Sequence, residues 1–362
     1  MQQKANNTIL IAPLDWGLGH ATRCVPIIKL LQQQQCTIIV AATGNHKALL
    51  QQEFANLTYI DVPNYNITYG SNTINSILKT IPNILAVNKA IKAENKWVQQ
   101  VVVDWGISII ISDNRYGVWH PKCTNIFITH QLQPKSFLFA FGEKLVRNYL
   151  YSHINKFSYC WVFDAANEQS LAGKLSHPGL MPTIPVTYIG VHTRLSYNPL
   201  PIVYKAAVIL SGPEPQRSIL EQKIIKQLQH CTHKIIMVRG LPITNMPLVS
   251  SNNNITIHNY LPSALLNTII NQSEFIISRS GYTSVMDLLL LRKKCIFIPT
   301  PSQSEQQYIA TYLQHQNLCM AYSQSKFDIN IALQNADAFA YVTYTPNANN
   351  VLQQCITNLL AH

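Results

Sequence analysis

Two stretches of this 362-residue chain bring together side chains whose types and spacing suit chemistry. The first is Trp16-Gly17-Leu18-Gly19-His20-Ala21-Thr22-Arg23, set between an apolar run at residues 8–12 and a helical pattern that continues over residues 27–31. The glycines permit a tight strand-to-helix turn, and His20 falls in the first helical turn. There the positive end of the helix dipole disfavours an imidazolium, so the ring stays neutral and able to take a proton near neutral pH. Arg23 projects from nearly the same face and suits an anionic substrate group. A lone histidine at a helix start either acts as a base or only caps the helix. Its place after Gly-x-Gly at a strand's carboxyl end favours a ligand role, because open α/β sheets bind ligands there.

The second stretch spans residues 275–307. An apolar run stops at Ser278-Arg279-Ser280-Gly281, a helical pattern opens at Thr283-Ser284, a second apolar run covers residues 295–299, and a polar loop ends in Glu305-Gln306-Gln307. Such a turn aims backbone N–H groups and the positive end of a helix dipole at one point, which suits a phosphate. Asp287 lies one helical turn beyond Thr283 on the same face, in place to accept hydrogen bonds from a ribose diol. On pattern alone the bland alternative stands beside this: Gly281 makes a turn and Asp287 is a solvated helix residue.

The elements that must hold these residues alternate along the chain. Strand patterns at residues 37–42, 107–111 and 125–129 follow the first, and the last two end in polar clusters, Ser112-Asp113-Asn114-Arg115-Tyr116 and His130-Gln131. Those clusters either bind an acceptor or pair with one another. A strand at residues 206–210 leads into Ser211-Gly212-Pro213-Glu214-Pro215-Gln216, a further glycine turn whose prolines remove two N–H donors. Residues 235–239 and 255–257 are strands, with Tyr260-Leu261 after the second. The prediction is α/β, two doubly wound Rossmann-like domains facing across a cleft. They cover residues 1–191 and 202–345, with a linker at 192–201 and a closing helix at 346–362. A dinucleotide fingerprint is rejected: Thr22 stands where a third glycine belongs, and Thr43-Gly44-Asn45 replace the expected acid.

Composition sets the outer limits. The 27 Lys+Arg against 16 Asp+Glu give a net charge of +11 on a chain with only 12% charged residues, which favours an anionic partner. Eight cysteines without a CxxC pair, among them Cys24, Cys36, Cys160 and Cys295 inside apolar patterns, read as buried reduced thiols and point to the cytoplasm. No signal segment or membrane span is expected, so a membrane role is peripheral. Residues 64–96 read as one or two helices or a mobile connection. Residues 134–163 mix aromatics (Phe137, Phe139, Phe141, Tyr149, Tyr151, Phe157) with Lys135, Lys144, Arg147 and Lys156. They form either a helix packed on a sheet with its lysine stems snorkelling, or one lying in a membrane interface.

With Gly-x-Gly-His and residues 278–307 both in view, the chain resembles the GT-B glycosyltransferases, above all the MurG-type N-acetylglucosaminyltransferases with a family 28 C-terminal domain. The likeness is densest over residues 276–320. It implies a UDP-sugar-dependent hexosyltransferase with donor contacts from Gly212, Gln216, Arg239, Tyr260, Leu261, Arg279, Ser280, Gly281, Thr283, Asp287, Gln306 and Gln307. It also implies acceptor contacts from Gly19, Arg23, Asp113, Arg115 and His130, with His20 as the base. Asp287 stands where the family usually has Glu, the loop at Gly212 departs from the family's glycine-rich loop, and Asp15-Trp16 replace small residues, which disfavours the peptidoglycan precursor as acceptor. The implied chemistry is displacement at the anomeric carbon with inversion and without a metal or other cofactor, and no Asp-x-Asp occurs. The implied partners are a UDP-sugar and a lipid-linked or cell-envelope glycan at the inner membrane face of a bacterium, with no nucleic acid. Two rivals remain: a nucleotide-sugar hydrolase of the same fold that uses His20 to activate water, and a non-catalytic basic binding protein for nucleic acid or anionic lipid.

Overall fold

The computed structural model describes residues 7–15, 17–64, 80–133, 140–242, 244, 247–346 and 350–361. Trp16, residues 65–79 of the expected connection and residues 134–139 of the aromatic stretch lie outside them. The chain forms two compact units, one from the residues up to Val191 together with the carboxyl-terminal segment, the other from His192–Pro346.

The amino unit is a parallel sheet of β1 (Thr8–Pro13), β2 (Thr37–Ala41), β3 (Thr58–Ile60), β4 (Ile109–Asp113), β5 (Thr124–Thr129), β6 (Tyr159–Val162) and β7 (Val186–Tyr188), in the order β3-β2-β1-β4-β5-β6-β7. Ile9, Leu10, Ile11 and Ala12 are wholly buried. Parallel strands covered on both faces read as unbroken apolar runs, which is why residues 8–12 show no alternation. Among the helices are α1 (Gly19–Gln33), α2 (Gly44–Glu53), α3 (Thr80–Trp105) and α4 (Ala140–Ile154). Apolar residues three and four apart, Ala21, Cys24, Val25, Ile28 and Leu31, turn α1 onto the sheet. A Cβ on Gly117 would lie 2.2 Å from the Ile91 carbonyl oxygen of α3, so the absence of a side chain lets the turn after β4 approach that helix.

The carboxyl unit is a second parallel sheet of β8 (Tyr204–Ile209), β9 (Ile235–Val238), β10 (Ile255–His258), β11 (Ser273–Ser278), β12 (Lys294–Phe297) and β13 (Cys319–Ala321), ordered β10-β9-β8-β11-β12-β13. Its helices are α5 (Gln216–Leu228), α6 (Ser263–Asn271), α7 (Tyr282–Leu290), α8 (Ser304–His315) and α9 (Ile329–Ala338). Val208, Phe275, Ile277 and Ile296 form its core with Leu220 and Ile224 of α5 and Leu333 of α9. The closing helix, α10 (Val351–Ala361), belongs to the amino unit and packs on α1.

Three sequence expectations are corrected. Residues 134–163 are not one helical stretch: α4 ends at Ile154 and β6 follows, with Cys160, Trp161 and Val162 buried inside the sheet. Tyr151 and Phe157 pack with Phe127 and Val162, so those two aromatics face the core rather than an interface. Cys36 is only half-buried, at the turn that follows α1. Among the described residues, no helix is long and apolar enough to cross a membrane.

Candidate active site

Each sheet reverses its direction of growth once, between β1 and β4 and between β8 and β11. Helices leave the two strands of such a pair in opposite directions, opening a crevice at the strands' carboxyl ends. Both stretches singled out in the sequence lie at these two points.

In the amino unit Asp113, the last residue of β4, is in register with Pro13, the last of β1. Gly17 holds φ +80°, a conformation that favours glycine, and its carbonyl accepts from His46 Nε2 of α2 at 2.8 Å. The turn delivers His20 to Asp113, with Nδ1 3.1 Å from Oδ2. Asp113 is wholly buried, while the His20 side chain keeps 14% exposure. Arg23 does not reach outward for a substrate anion as its spacing predicts. It is 2% exposed, and its guanidinium grips both oxygens of Asp113, with Nε to Oδ2 at 2.7 Å and Nη2 to Oδ1. Nη1 donates to His130 Nδ1 at 2.7 Å, and Nη2 lies 2.8 Å from His20 Nδ1.

Burial, then the Arg23 guanidinium, lower the His20 pKa from 6.5 to about 4 against the opposing pull of Asp113. The ring is therefore neutral at neutral pH, as the sequence predicts, with desolvation and Arg23 as the causes. Burial alone would raise the Asp113 carboxyl, but Arg23 and His20 hold it well below the usual carboxylate range.

Arg115 is a further correction. It is wholly buried, donating from Nε to the Pro13 carbonyl and from Nη1 to the Pro63 carbonyl and to Glu94 Oε1 at 2.7 Å. Arg115 fastens loops around the site and presents no face to an acceptor. Glu94, its partner on α3, went unread in the sequence because it sits inside a polar helical pattern with no local cue. Gly19 opens α1, and its carbonyl accepts from Thr22 Oγ1.

In the carboxyl unit Gly212 follows β8 with φ +105°, and a Cβ there would lie 3.8 Å from Thr300 Oγ1, beyond β12. The Thr300 hydroxyl is buried without a hydrogen-bond partner among the described residues. Gly281 caps α7 in an extended conformation, φ −65° and ψ 138°, that any residue adopts. What its missing side chain supplies is room, since the nearest atom to a Cβ would be Gln306 Nε2 at 4.0 Å. Half-buried Asp287 accepts from Thr193 Oγ1 at 2.5 Å through Oδ1. Burial raises its carboxyl pKa, opposed by Arg194 and that hydroxyl. Tyr260 is half-buried and Leu261 buried after β10, and Thr283 is half-buried in the first turn of α7.

Several expected donor contacts prove to be internal fasteners. Ser280 is buried, its hydroxyl donating to the Gln306 carbonyl at 2.8 Å. The Gln306 amide accepts from Thr300 N–H at 2.9 Å and donates to Gln303 Oε1 at 2.6 Å. Arg279, 1% exposed and lowered by burial to about 10, donates to the carbonyls of Gln216, Ile298 and Pro299 and to Gln324 Oε1. Gln216 also accepts from Gln324 Nε2 through Oε1. Arg239 pairs with both oxygens of Glu221, at 2.9 Å each, and with Asn259 Oδ1. Gln307 turns away from Gln306 and is exposed, lining a cavity of about 590 Å³ with Lys223, Gln314 and Tyr322. The two glutamines, adjacent in sequence, thus stand in different surroundings, Gln306 buried and bonded and Gln307 exposed.

Residues 215–352 match the glycosyltransferase family 28 C-terminal domain. No curated protein matches the chain by sequence. Among solved structures, the spinosyn forosaminyltransferase SpnP is 12% identical with a TM-score of 0.62, over 99% of this chain and 100% of that one. The spinosyn rhamnosyltransferase SpnG complexed with thymidine diphosphate is 13% identical with a TM-score of 0.62, over 98% and 95%. Acinetobacter baumannii MurG is 14% identical with a TM-score of 0.51, over 99% and 95%. At these identities the likeness establishes the fold, two Rossmann-like α/β units of the GT-B kind, and the family match covers the carboxyl unit. Residues 215–352 thus match a glycosyltransferase family 28 C-terminal domain within a chain of the GT-B fold, which supports a nucleotide-sugar-dependent glycosyltransferase.

Proposed function

We propose that the chain transfers a hexosyl group, N-acetylglucosamine by expectation, from a UDP-sugar to a hydroxyl of a lipid-linked or cell-envelope glycan. The observation that carries this reading is the His20 contact with Asp113 at 3.1 Å, beside the reversal of the amino sheet. With its Nδ1 proton donated to Asp113, His20 has a bare Nε2 that takes the proton of the acceptor hydroxyl. That oxygen bonds to the anomeric carbon as the bond from the carbon to the diphosphate breaks, with inversion, and the nucleoside diphosphate leaves with the electron pair. The α7 N-terminus at Gly281 and the turn at Gly212 support a role in stabilising that departing charge without a metal. Asp287 is assigned to the ribose and exposed Gln307 to the donor sugar, with Tyr260 and Leu261 beside the base. Arg239, Arg279, Ser280 and Gln306 are assigned to holding that site in shape.

A lipid-linked acceptor at an anionic bacterial membrane draws support from α3. Lys89, Lys92 and Lys96 are exposed along it at helical spacing, and the Tyr149 hydroxyl donates to Asn88 at 2.6 Å, setting α4 with exposed Lys144 alongside. Sedimentation with anionic liposomes at low salt tests this part, and absence of binding removes it.

The donor assignment is tested by a thermal-shift screen of nucleotide sugars that includes UDP and thymidine diphosphate forms. Stabilisation by a UDP-sugar that disappears in Asp287→Ala supports it, and indifference to every nucleotide rejects it. The same His20–Asp113 pair also suits activation of water. Release of free sugar without an acceptor, abolished in His20→Ala, would make the protein a hydrolase instead.

A further inference from the structure

The Arg23 guanidinium bonds to Asp113, His20 and His130 at the amino-unit site. We propose that Arg23 is a positioning residue for His20, deciding which ring nitrogen of His20 carries the proton and so whether that ring can act as a base. The inference rests on the reading of His20 given above.

A guanidinium only donates, and an ionised carboxylate only accepts. Arg23 Nη1, 2.7 Å from His130 Nδ1, therefore makes that nitrogen an acceptor and puts the His130 proton on Nε2. Arg23 Nη2, 2.8 Å from His20 Nδ1, asks the same of His20, whereas Asp113 Oδ2, 3.1 Å from the same nitrogen, asks the opposite. When Arg23 holds Nδ1, the proton sits on Nε2 and the ring only donates. When Asp113 holds it, Nε2 is bare and takes a proton. In a simple histidine–carboxylate pair the carboxylate decides alone. Here Arg23 occupies both Asp113 oxygens in a forked contact, which takes up much of the carboxylate's pull on the ring.

The other ionisable groups facing His20 do not replace Arg23 in this role. Cys24 lies 4.0 Å from Asp113 with its thiol raised by burial, so it stays uncharged. His46 of α2 is bonded to the Gly17 carbonyl and lowered by burial, which leaves it neutral. The closing helix α10 carries no ionisable side chain except Cys355.

The test is imidazole 15N NMR of the full chain across pH, with His20→Gln to assign the signal, in the wild type, Arg23→Gln and Arg23→Lys. The wild type is expected to show both His20 tautomers, the one with its proton on Nδ1 being the form that serves as base. Arg23→Gln should leave only the tautomer with its proton on Nδ1 and raise the titration midpoint by at least about one pH unit. Arg23→Lys keeps the charge on Asp113 but lacks the second fork, so the tautomer balance should change with a smaller move in midpoint. The acid limb of kcat/KM should follow the midpoint. If folded Arg23→Gln and Arg23→Lys both keep the wild-type tautomer balance and midpoint, the proposal is wrong; if Arg23→Gln does not fold, Arg23→Lys decides. A wild type that turns over no nucleotide sugar would count against the functional reading, while the NMR comparison would still decide the role of Arg23.

Discussion

Glu94 Oε1 lies 2.7 Å from Arg115 Nη1 with both side chains wholly buried. The pair ties the middle of α3 to the loop after β4, the strand that ends in Asp113. Glu94 also accepts from the Gly117 N–H at 3.1 Å. Removing one member of a buried pair leaves the other charged and dry, at a cost of about 3–5 kcal/mol. Glu94→Ala should therefore lower the denaturant midpoint strongly, and Glu94→Gln, which keeps an acceptor, should lower it less. Equal midpoints in Glu94→Ala and the wild type would mean that the pair contributes nothing.

Acid stability should carry the mark of His20. Its pKa is 6.5 as an ordinary side chain and about 4 in the fold, so the unfolded chain binds the extra proton between those values. Stability present above pH 6.5 is then lost as pH falls towards 4, by up to about 3 kcal/mol at 1.36 kcal/mol per pKa unit. Asp113, held low in the fold, adds a loss in the same direction at more acid pH, below the ordinary carboxylate value of 3.8. His20→Gln should flatten the stability curve between pH 6.5 and 4. His46 and His153, also lowered, are present in both proteins, so the difference isolates His20.

Thr300 offers a test with the opposite sign. Its hydroxyl is buried without a partner among the described residues, and its backbone N–H is held separately by Gln306. An unmade buried hydrogen bond costs about 1–3 kcal/mol, and replacing the group by an apolar one of the same shape removes that cost. Thr300→Val should leave the urea midpoint unchanged or raise it. A clear fall would mean that the hydroxyl has a partner in solution.

The parallel sheets were legible because buried parallel strands write continuous apolar runs, and so were the three glycine turns at Gly17, Gly212 and Gly281. Short β3 and β13, three residues each, carry too little pattern to read. β6 was hidden because its Tyr-Cys-Trp-Val follows aromatic α4 after only four residues. At the candidate site, sequence reading found His20, Arg23, Asp113 and His130 but not their mutual bonds. The contacts of Arg23 with Asp113 and His130 span 90 and 107 residues, and no local spacing encodes them. It also took charged and amide side chains near a phosphate-type turn for ligand contacts. Arg279, Arg239 and Gln306 carry the same chemistry, but the fold uses it to satisfy backbone carbonyls, a carboxylate and an N–H.

Adjacent Gln306 and Gln307 make that distinction measurable. Gln306 is buried and bridges Thr300 N–H and Gln303, while its carbonyl receives the Ser280 hydroxyl. Gln306→Ala strips a buried N–H of its acceptor, so it should cost about 1–3 kcal/mol and lower the melting temperature whether or not nucleotide is present. Gln307 is exposed on the cavity face of α8, its backbone N–H donating to the Gln303 carbonyl at 3.1 Å and its carbonyl accepting from Thr311 Oγ1 at 2.9 Å. Gln307→Ala should leave the unliganded melting temperature within about 1 °C of wild type, because exposed substitutions are usually within ±0.5 kcal/mol. It should nevertheless reduce stabilisation by a nucleotide sugar relative to the same nucleoside diphosphate lacking the sugar. If Gln307→Ala binds both equally well and Gln306→Ala selectively loses the sugar, the roles assigned to the two glutamines are reversed.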